Sequence, residues 1–325
     1  MSDHFIKNIE IKNFKCFENF KAEGFGRVNL IGGKNNVGKT AFMEACAINI
    51  YSIDISKMTD VLGSPKLARE FLEIGSRVGA SKEEMQSFLE LANHYSAISN
   101  INDVEYNIMD SDGIKEYNFQ YKNKNFKVNI NDFSFERTKQ NNIKFITKLG
   151  FTKLQLKQVF ISVQKKDKEE ILYSYINEFD SNVTNFKIIG GDEPSAKVID
   201  RDIYQEINEF GDGLKHYISI ICSLYACENG YLFIDEIDNG IHYTQLDRLW
   251  KIILTISKDQ NVQVFATTHS KECIESYARV AKGLEDDEIT FFKLGKNQEG
   301  EIKGMVYPYD WFVDSIEQEQ EMRGW

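Results

Sequence analysis

The sequence lacks the cysteine spacings of a cross-linked or metal-stapled protein. Its five cysteines are odd in number and none of them forms a Cys-x-x-Cys pair, which argues against a disulfide framework, a zinc hook and an iron–sulfur site. No apolar run reaches the roughly 18 residues that a membrane-spanning helix needs, and the first residues do not resemble a signal peptide. We therefore expect a soluble protein of the cytoplasm, with no membrane partner.

Positive charge is also scarce. The net charge of −11 disfavours general binding to nucleic acid, although it leaves room for a local basic groove. Residues 137–166 form such a local excess, with eight cations and no Asp or Glu. This segment could bind DNA or an acidic protein, or its lysines could be solvated on exposed strand faces. The cations are Arg137, Lys139, Lys144, Lys148, Lys153, Lys157, Lys165 and Lys166.

The most specific motif in the chain is a phosphate-binding loop at residues 33–40. This stretch fits the pattern G-x-x-x-x-G-K-[ST], between a β-prone run at 28–31 and a helix-prone run at 41–48. Backbone N–H groups at the start of such a helix bind phosphate, so the motif predicts ATP binding. We expect Lys39 to reach the β- and γ-phosphates and Thr40 to be a Mg²⁺ ligand. The predicted loop comprises Gly33, Lys34, Asn35, Asn36, Val37, Gly38, Lys39 and Thr40.

A second motif supplies the carboxylates of a nucleotide-hydrolysing site. The apolar run 231–234 ends in Asp235 and Glu236, as expected of a buried strand in a parallel sheet whose acids emerge beside the phosphate-binding loop. Asp235 is predicted to hold Mg²⁺ through water. Glu236 is predicted to orient or deprotonate the attacking water.

Two histidines follow these acids. His269 comes just after the strand-like run 262–267, which places it where it could touch the γ-phosphate. His242 follows an Asp-Asn-Gly turn and could either contact the nucleotide or cap the helix that starts there.

The order of these motifs resembles the stand-alone RecF-, SMC- and OLD-like branch of ABC-type ATPases, a group described as AAA family ATPases or ATP/GTP phosphatases. The resemblance rests on Ile-Lys-Asn-Phe-Lys-Cys-Phe at 11–17, Gly-Asp-Gly at 211–213, Ile-Asp-Glu-Ile-Asp-Asn-Gly-Ile-His-Tyr at 234–243 and Thr-Thr-His-Ser at 267–270, together with the phosphate-binding loop. It covers both ends of the chain and leaves residues 56–156 poorly matched. No sustained heptad repeat is present, so we expect no long coiled-coil arm.

The resemblance implies a fold and a domain division. It implies an α/β P-loop NTPase of ABC/RecF-like type, with a mixed sheet at the N-terminus, a parallel core sheet flanked by helices, and a helical and β-rich insertion between the phosphate-binding loop and the Gly-Asp-Gly loop. The ATPase head would comprise residues 1–55 and 205–325, and the inserted lobe residues 56–204.

The resemblance also implies a second half of the nucleotide site. Gly211, Asp212 and Gly213 match the signature loop, which in ABC ATPases caps the γ-phosphate held by another subunit, so that two chains sandwich two nucleotides. Asp212 adds negative charge there, which Lys215 can offset. A Gln that senses Mg²⁺ in this group has two candidates here, Gln164 at the end of a predicted strand over 159–163, and Gln120.

The function predicted on these grounds is an ATP-hydrolysing switch that dimerises around ATP and Mg²⁺. It would act on nucleic acid or on a separate effector, such as a toprim-type nuclease, in anti-phage defence or DNA repair. No glutamate–DxD constellation follows Ser270, so we expect no nuclease in the chain itself. The alternatives are an ATP-gated scaffold with negligible turnover, the motor of a membrane transporter, and a nucleotide kinase.

Overall fold

The structure is a computed structural model that describes residues 4–51, 98–101, 104–111, 114–121, 124–129, 143–148, 150–199, 203–318 and 322. Two helices predicted from the sequence over 65–78 and 81–95 lie outside these residues. The strands are β1 (Asn8–Phe14), β2 (Phe17–Glu23), β3 (Val28–Gly32), β4 (Ile98–Ile101), β5 (Val104–Ser111), β6 (Ile114–Tyr121), β7 (Lys124–Asn129), β8 (Ile143–Ile146), β9 (Val183–Ile189), β10 (Glu193–Val198), β11 (Tyr204–Glu206), β12 (Tyr231–Ile234), β13 (Gln263–Thr267), β14 (Ile289–Lys296) and β15 (Ile302–Pro308). The helices are α1 (Lys39–Tyr51), α2 (Lys153–Lys165), α3 (Glu169–Phe179), α4 (Asp212–Ala226), α5 (Leu246–Asp259), α6 (Lys271–Leu284) and α7 (Tyr309–Glu317).

The core of the molecule is a six-stranded sheet in the order β15-β14-β3-β13-β12-β8. All neighbouring strands in it are parallel except β15, which pairs antiparallel with β14. β3 and β13 are buried along their whole length, as expected of central strands covered on both faces. The predicted parallel core sheet is confirmed, and its mixed character comes from the edge strand β15.

Successive residues of the core strands point to opposite faces and enter two separate hydrophobic clusters. Leu30 packs with the helices α4, α5 and α6, whereas Ile31 packs with α1, β1 and β2. Phe233 and Phe265, opposite each other in register, stack with ring centroids 5.5 Å apart on the α1 side. The core sheet is therefore the middle layer, between helices on one face and α1 with the N-terminal strands on the other.

The N-terminal strands form a separate sheet in the order β2-β1-β4-β5-β6-β7. Each described pair in it is antiparallel. The reason is local, because most of these strands are joined to the next by turns of a few residues, which bring strands back antiparallel.

Two described strands of the segment 56–204, which is predicted as an inserted lobe, pair with strands outside that segment. Its strand β8 pairs in parallel with β12 over four residue pairs and forms the edge of the core sheet. Strand β4 of the same segment pairs with β1. The remainder of the predicted division, with boundaries at 55 and 204, stays a prediction.

The strand predicted over 159–163 is wrong, because these residues lie within helix α2. Thr152 caps this helix in a capping box with Gln155, and the buried positions Leu156, Val159, Phe160 and Val163 recur every three or four residues. A short apolar run is ambiguous between strand and helix when it is read alone. None of the described helices is both long and apolar enough to cross a bilayer.

Candidate functional site

The carboxyl ends of four parallel strands bring the predicted site residues to one edge of the core sheet. The N–H group of Thr268, after β13, donates to the carbonyl of Ile31 in β3 at 3.1 Å, and the N–H group of Asp235, after β12, donates to the carbonyl of Ile146 in β8 at 2.8 Å. The phosphate-binding loop follows β3, and His269 follows β13. The edge therefore assembles the loop, both carboxylates and His269, as the sequence predicted for a parallel sheet.

The phosphate-binding loop runs from β3 into α1 with a tight turn at Gly38. This glycine has φ of +92°, and a Cβ atom on it would lie 2.7 Å from Sγ of Cys16. Both the conformation and the close approach require glycine at this position. Lys34, Asn35 and Asn36 are exposed, whereas Gly33 and Val37 are buried. The middle of the loop is therefore exposed, and the residues on either side of it are buried.

Lys39, the first residue of α1, is only 7% exposed. Its Nζ donates to the carbonyl oxygens of Gly33 at 2.9 Å and Lys34 at 3.0 Å, and it lies 3.2 Å from Nδ1 of His269. Burial lowers the pKa of Lys39 to about 8, although the negative charges of Asp235 and Glu236 act in the opposite direction. A buried ammonium with only partial compensation favours the arrival of an anion.

Thr40 and Asp235 form an oxygen pair that fits a magnesium ion. The Thr40 hydroxyl lies 3.1 Å and 3.0 Å from the two carboxylate oxygens of Asp235, which is itself 8% exposed. Hydroxyl and carboxylate oxygens are ligands that Mg²⁺ accepts, and Mg²⁺ typically takes only one or two from protein, with water and phosphate completing its shell. Consistent with this, no group of three or more His, Cys, Asp and Glu side chains able to hold a metal occurs within the described part of the chain.

Glu236 has a backbone conformation that residues other than glycine, Asn and Asp rarely adopt. Its φ is +54°, in the left-handed region, directly after β12. The N–H group of Glu236 donates to Oγ1 of Thr267 at 2.8 Å, and the same hydroxyl donates to Oδ1 of Asp235 at 2.8 Å. The turn therefore points the side chains of the two adjacent acids in different directions, and the hydrogen bonds to Thr267 hold them in place.

His269 is exposed at the rim of this edge. Its pKa is lowered, first by partial burial and then by the positive charge of Lys39, while Glu236 and Asp238 partly offset this shift. A neutral imidazole beside Lys39 can accept or donate a hydrogen bond, depending on its tautomer. Lys39, Thr40, Asp235, Glu236 and His269 therefore meet at one place.

The Gly-Asp-Gly loop forms the start of helix α4, with Gly211 in the N-cap position. Gly211 and Asp212 are exposed, and no side chain caps the first turn of the helix. A Cβ atom on Gly213 would lie 2.1 Å from the carbonyl oxygen of Gly240, so α4 and the turn after Glu236 are in backbone contact. Burial lowers the pKa of Lys215, and the negative charge of Asp212 nearby offsets part of this shift.

Two residues of the predicted site, His242 and Gln164, lie at exposed positions. His242 is exposed at the N-cap of a short 3-10 turn, and its ring contacts Oγ1 of Thr244 at 2.9 Å and the ring of Tyr243. Gln164 is exposed near the end of α2. Gln164 lies within α2 and not at the end of a core strand, which was the ground for choosing it. Its role as the Mg²⁺-sensing residue stays a prediction. The other candidate, Gln120, lies in β6 of the N-terminal sheet, opposite Asn125 and Glu105.

Sequence reasoning missed two threonines at the same edge. Thr267 ends β13 and bonds both Asp235 and Glu236, as described above. Thr147 follows β8, the strand beside β12, and its hydroxyl is buried without a hydrogen-bond partner in the described structure. The signal for Thr267 was its place two residues before His269. Thr147 could be recognised only once β8 was known to border β12.

The basic segment 137–166 does not form the exposed row of strand lysines that was one reading of it. Lys153 in α2 lies 2.6 Å from Glu193 and 3.1 Å from Glu206, and Lys166 lies 2.6 Å from Glu228. Burial lowers the pKa of Lys144. Two of the cations, Lys153 and Lys166, are therefore paired within the chain, while Arg137 and Lys139 lie outside the described residues.

Comparisons with known proteins agree with this geometry. The profile of a family described as "AAA ATPase domain" matches residues 176–274, a stretch that includes the Gly-Asp-Gly loop, both acids and His269. An "ATP/GTP phosphatase" of Helicobacter pylori is 25% identical over 328 residues, covering 85% of this chain and 88% of that protein. An uncharacterized protein of Methanocaldococcus jannaschii is 34% identical over 89 residues, which is 27% of this chain and 78% of that protein.

Among solved structures, the SMC head bound to the C-winged helix domain of ScpA superposes with a TM-score of 0.52 at 13% identity, covering 94% of this chain and 99% of that chain. The chain therefore shares the fold of an SMC head domain. The fold class and the RecF- and SMC-like resemblance predicted from the motifs are confirmed, and the ATPase-domain match confirms the predicted enzyme class. The roles of individual residues in this ATPase remain predictions, which the geometry makes specific.

Proposed function

We propose that this ATPase is a dimerising switch, in which two copies close around ATP and hydrolysis lets them separate. The output would be control of a separate effector in the cytoplasm, a toprim-type nuclease in anti-phage defence or DNA repair. The observation that carries the proposal is the convergence of Lys39, Thr40, Asp235, Glu236 and His269 at one sheet edge, with the α4 loop open to a second chain.

One copy would bind the triphosphate through its own phosphate-binding loop. Lys39 is buried at the start of α1 with its charge incompletely compensated, so the β- and γ-phosphates would replace the carbonyl oxygens of Gly33 and Lys34 as its partners. Thr40 and Asp235 would hold Mg²⁺. When bound, this ion would neutralise charge developing on the phosphate oxygens.

The hydrolytic step would use the two groups that flank the phosphate position. Glu236 would orient the attacking water and accept its proton, since phosphoryl transfer depends mainly on positioning and electrostatics. His269, beside Lys39, would contact the γ-phosphate and report its loss. The breaking bond is that between the γ-phosphorus and the bridging oxygen, and the water supplies the hydroxyl of the released phosphate.

The second copy would contribute Gly211, Asp212 and Gly213. Their N–H groups open a helix with no side-chain cap, which is an arrangement that suits an anion. Within its own chain, the same helix contacts the turn after Glu236 through Gly213 and Gly240, and through a hydrogen bond of 3.2 Å between Nε2 of His216 and the carbonyl of Ile237. When the loop of one chain closes on the nucleotide of its partner, the hydrolytic residues of the chain that supplies the loop would therefore also be displaced.

An effector protein is consistent with the structural relatives. The SMC head of similar fold is described in a complex with a domain of ScpA, a separate protein. By analogy, the effector would bind a pair of ATPase chains that is either closed around ATP or open. That inference rests on fold likeness alone.

Size-exclusion chromatography tests the switch. The Glu236→Gln variant should elute as a dimer with ATP and Mg²⁺ and as a smaller species without them, because the sandwich forms and cannot turn over. Lys39→Ala should not shift, because the triphosphate is not held. If both variants elute identically with and without ATP, the switch is excluded. Steady-state phosphate release by the unaltered chain separates a hydrolysing switch from an ATP-gated scaffold, which would show negligible turnover.

A further inference from the structure

Thr267 links the two acids of the site through a single hydroxyl group. Oγ1 of Thr267 accepts the N–H of Glu236 at 2.8 Å and donates to Oδ1 of Asp235 at 2.8 Å. Its carbonyl oxygen accepts the N–H of Ile237 at 2.9 Å. Thr267 is fully buried at the end of β13, so water does not compete for these bonds.

The backbone that Thr267 holds is strained. Glu236 has φ of +54°, in the left-handed region that is unfavourable for a residue with a Cβ atom. Such a conformation persists only where neighbouring groups impose it. The bond from the Glu236 N–H to Thr267 fixes the turn at the residue that is strained, and so it sets the direction of the Glu236 side chain.

The carboxylate that Thr267 holds is shared with Thr40. Oδ1 of Asp235 accepts from Thr267 at 2.8 Å and lies 3.1 Å from the Thr40 hydroxyl, while Oδ2 lies 3.0 Å from Thr40. Because Thr267 donates to Oδ1 from β13, it constrains the rotation of the carboxylate, while Oδ2 has Thr40 as its hydrogen-bond partner and not Thr267. Hydrogen-bond donors that do not contact the metal themselves orient a metal-binding carboxylate in this way.

Only a side chain with both a donor and an acceptor can make these two bonds at once. A hydroxyl has one proton to donate and lone pairs to accept with, whereas an isosteric valine has neither. Valine would fill the same space and suit the strand equally well. The effect of the hydroxyl can therefore be separated from that of packing.

We propose that Thr267 is a positioning residue for ATP hydrolysis, which sets the metal-facing orientation of Asp235 and the water-facing orientation of Glu236 together. This inference rests on the proposed roles of those two acids. It predicts that losing the hydroxyl impairs the metal site and the hydrolytic step while nucleotide binding through Lys39 is retained.

The test compares Thr267→Val with Thr267→Ser and a matched control. In Thr267→Val, kcat should fall about 10- to 100-fold, and the Mn²⁺ affinity of the complex with a non-hydrolysable ATP analogue, read by electron paramagnetic resonance, should weaken about 10-fold or more. Metal-free affinity for the analogue should stay within about twofold, because the phosphate contacts are intact. Thr267→Ser keeps the hydroxyl and should restore both properties.

The control is Thr290→Val. Thr290 is a buried threonine of the same sheet whose hydroxyl donates to Oδ1 of Asn29 at 2.6 Å, near the amino end of β3 and away from the site. It should lower the free energy of unfolding without changing kcat or Mn²⁺ affinity. If Thr267→Val does not fold, Thr267→Ala removes the same hydroxyl without placing a methyl group beside Asp235.

The outcomes separate this inference from the proposed function. Unchanged Mn²⁺ affinity and kcat in Thr267→Val, or equal losses in Thr267→Val and Thr290→Val, would overturn the role of Thr267. If the unaltered chain releases no phosphate, the proposed hydrolytic function fails instead. The Mn²⁺ measurement, which needs no turnover, still decides whether Thr267 orients Asp235.

Discussion

Nζ of Lys39 lies 3.2 Å from Nδ1 of His269, so the first residue of α1 and the histidine that follows β13 are within hydrogen-bond distance. An ammonium group has only donors, so this contact is formed with a neutral imidazole that accepts at Nδ1. The pKa values of both groups are lowered, with burial the largest cause in each case. Before nucleotide binding both groups therefore lose their protons at lower pH than usual, and added phosphate charge should raise both pKa values.

Proton uptake on ATP binding follows from the lowered pKa of Lys39. With a pKa of about 8 in the nucleotide-free chain, Lys39 is mostly neutral at pH 8.5, and bound triphosphate should return its pKa toward the ordinary 10.5. Binding of metal-free ATP at pH 8.5 should therefore take up about 0.7 proton, and at pH 7 much less from this group. Calorimetry in buffers of different ionisation enthalpy measures the number directly.

A His269→Gln variant is the control for that experiment. It removes the neighbouring imidazole and retains Lys39, so the uptake at pH 8.5 should persist. Absence of proton uptake in the unaltered chain at pH 8.5 would mean that Lys39 has an ordinary pKa and is charged throughout.

The contact between Gly213 and Gly240 predicts that a single methyl group at Gly213 uncouples the signature loop from the hydrolytic turn. In Gly213→Ala the added Cβ would meet the carbonyl oxygen of Gly240 at 2.1 Å, so α4 or the turn must move. The atoms that this Cβ would meet all belong to the backbone of Gly240, which cannot rotate away as a side chain can. We expect kcat to fall about 10-fold or more, because small displacements of catalytic groups have effects of that size.

Gly283→Ala is the matched control for Gly213→Ala. It also replaces a helical glycine, but a Cβ atom on Gly283 would meet nothing within 4 Å. This variant should gain up to about 1 kcal/mol in the free energy of unfolding with kcat unchanged. Equal kcat values for Gly213→Ala and the unaltered chain would show that the α4 contact does not matter for turnover.

The parts of the site that could be predicted from the sequence are those encoded by contiguous residues. The loop at 33–40 and the pair Asp235–Glu236 are short motifs with fixed local structure, and their meeting follows from parallel strands sharing an edge. The run 159–163 was assigned to a strand because it is too short to show its helical period unless position 156 is read with it.

The parts that could not be predicted depend on pairings between distant residues. Thr267 meets Glu236 across 31 positions of sequence, and β8 reaches the sheet edge only because it pairs with β12. Neither pairing leaves a local pattern. The left-handed conformation of Glu236 was also unforeseen, because a glutamate is a poor marker of that region.

Binding of DNA by residues 137–166 should be weak. Lys153 and Lys166 are paired with glutamates of the same chain, and we choose Lys148 and Lys157 from the remaining lysines for charge reversal. Because two of the cations are paired internally, the slope of log Kobs against log salt for duplex DNA should be shallower than about −3, and Lys148→Glu with Lys157→Glu should change affinity only modestly. Lys153→Glu is the control, since its loss breaks two internal ion pairs. A steep slope that the double reversal flattens would instead indicate a DNA-binding groove.

A buried histidine ties the stability of the site to pH. Burial lowers the pKa of His216 in α4 to about 4, although its hydrogen bond to the carbonyl of Ile237 and the charge of Asp212 act in the opposite direction. The unfolded chain binds this proton near the ordinary pKa of 6.5, and the folded chain does so only near 4. The stabilising contribution is therefore fully present above pH 6.5 and is lost as pH falls toward 4.

Urea unfolding at pH 7.5 and pH 5 measures this contribution, with His216→Gln as the reference. The free energy of unfolding should drop by about 2 kcal/mol more in the unaltered chain than in His216→Gln, because glutamine can donate to the Ile237 carbonyl but does not titrate. Carboxylates that protonate over the same range affect both chains alike and cancel in the comparison. Identical pH dependence in the two would mean that His216 is reached by water, and that α4 is not held against the turn after Glu236 as tightly as the contact with Gly240 requires.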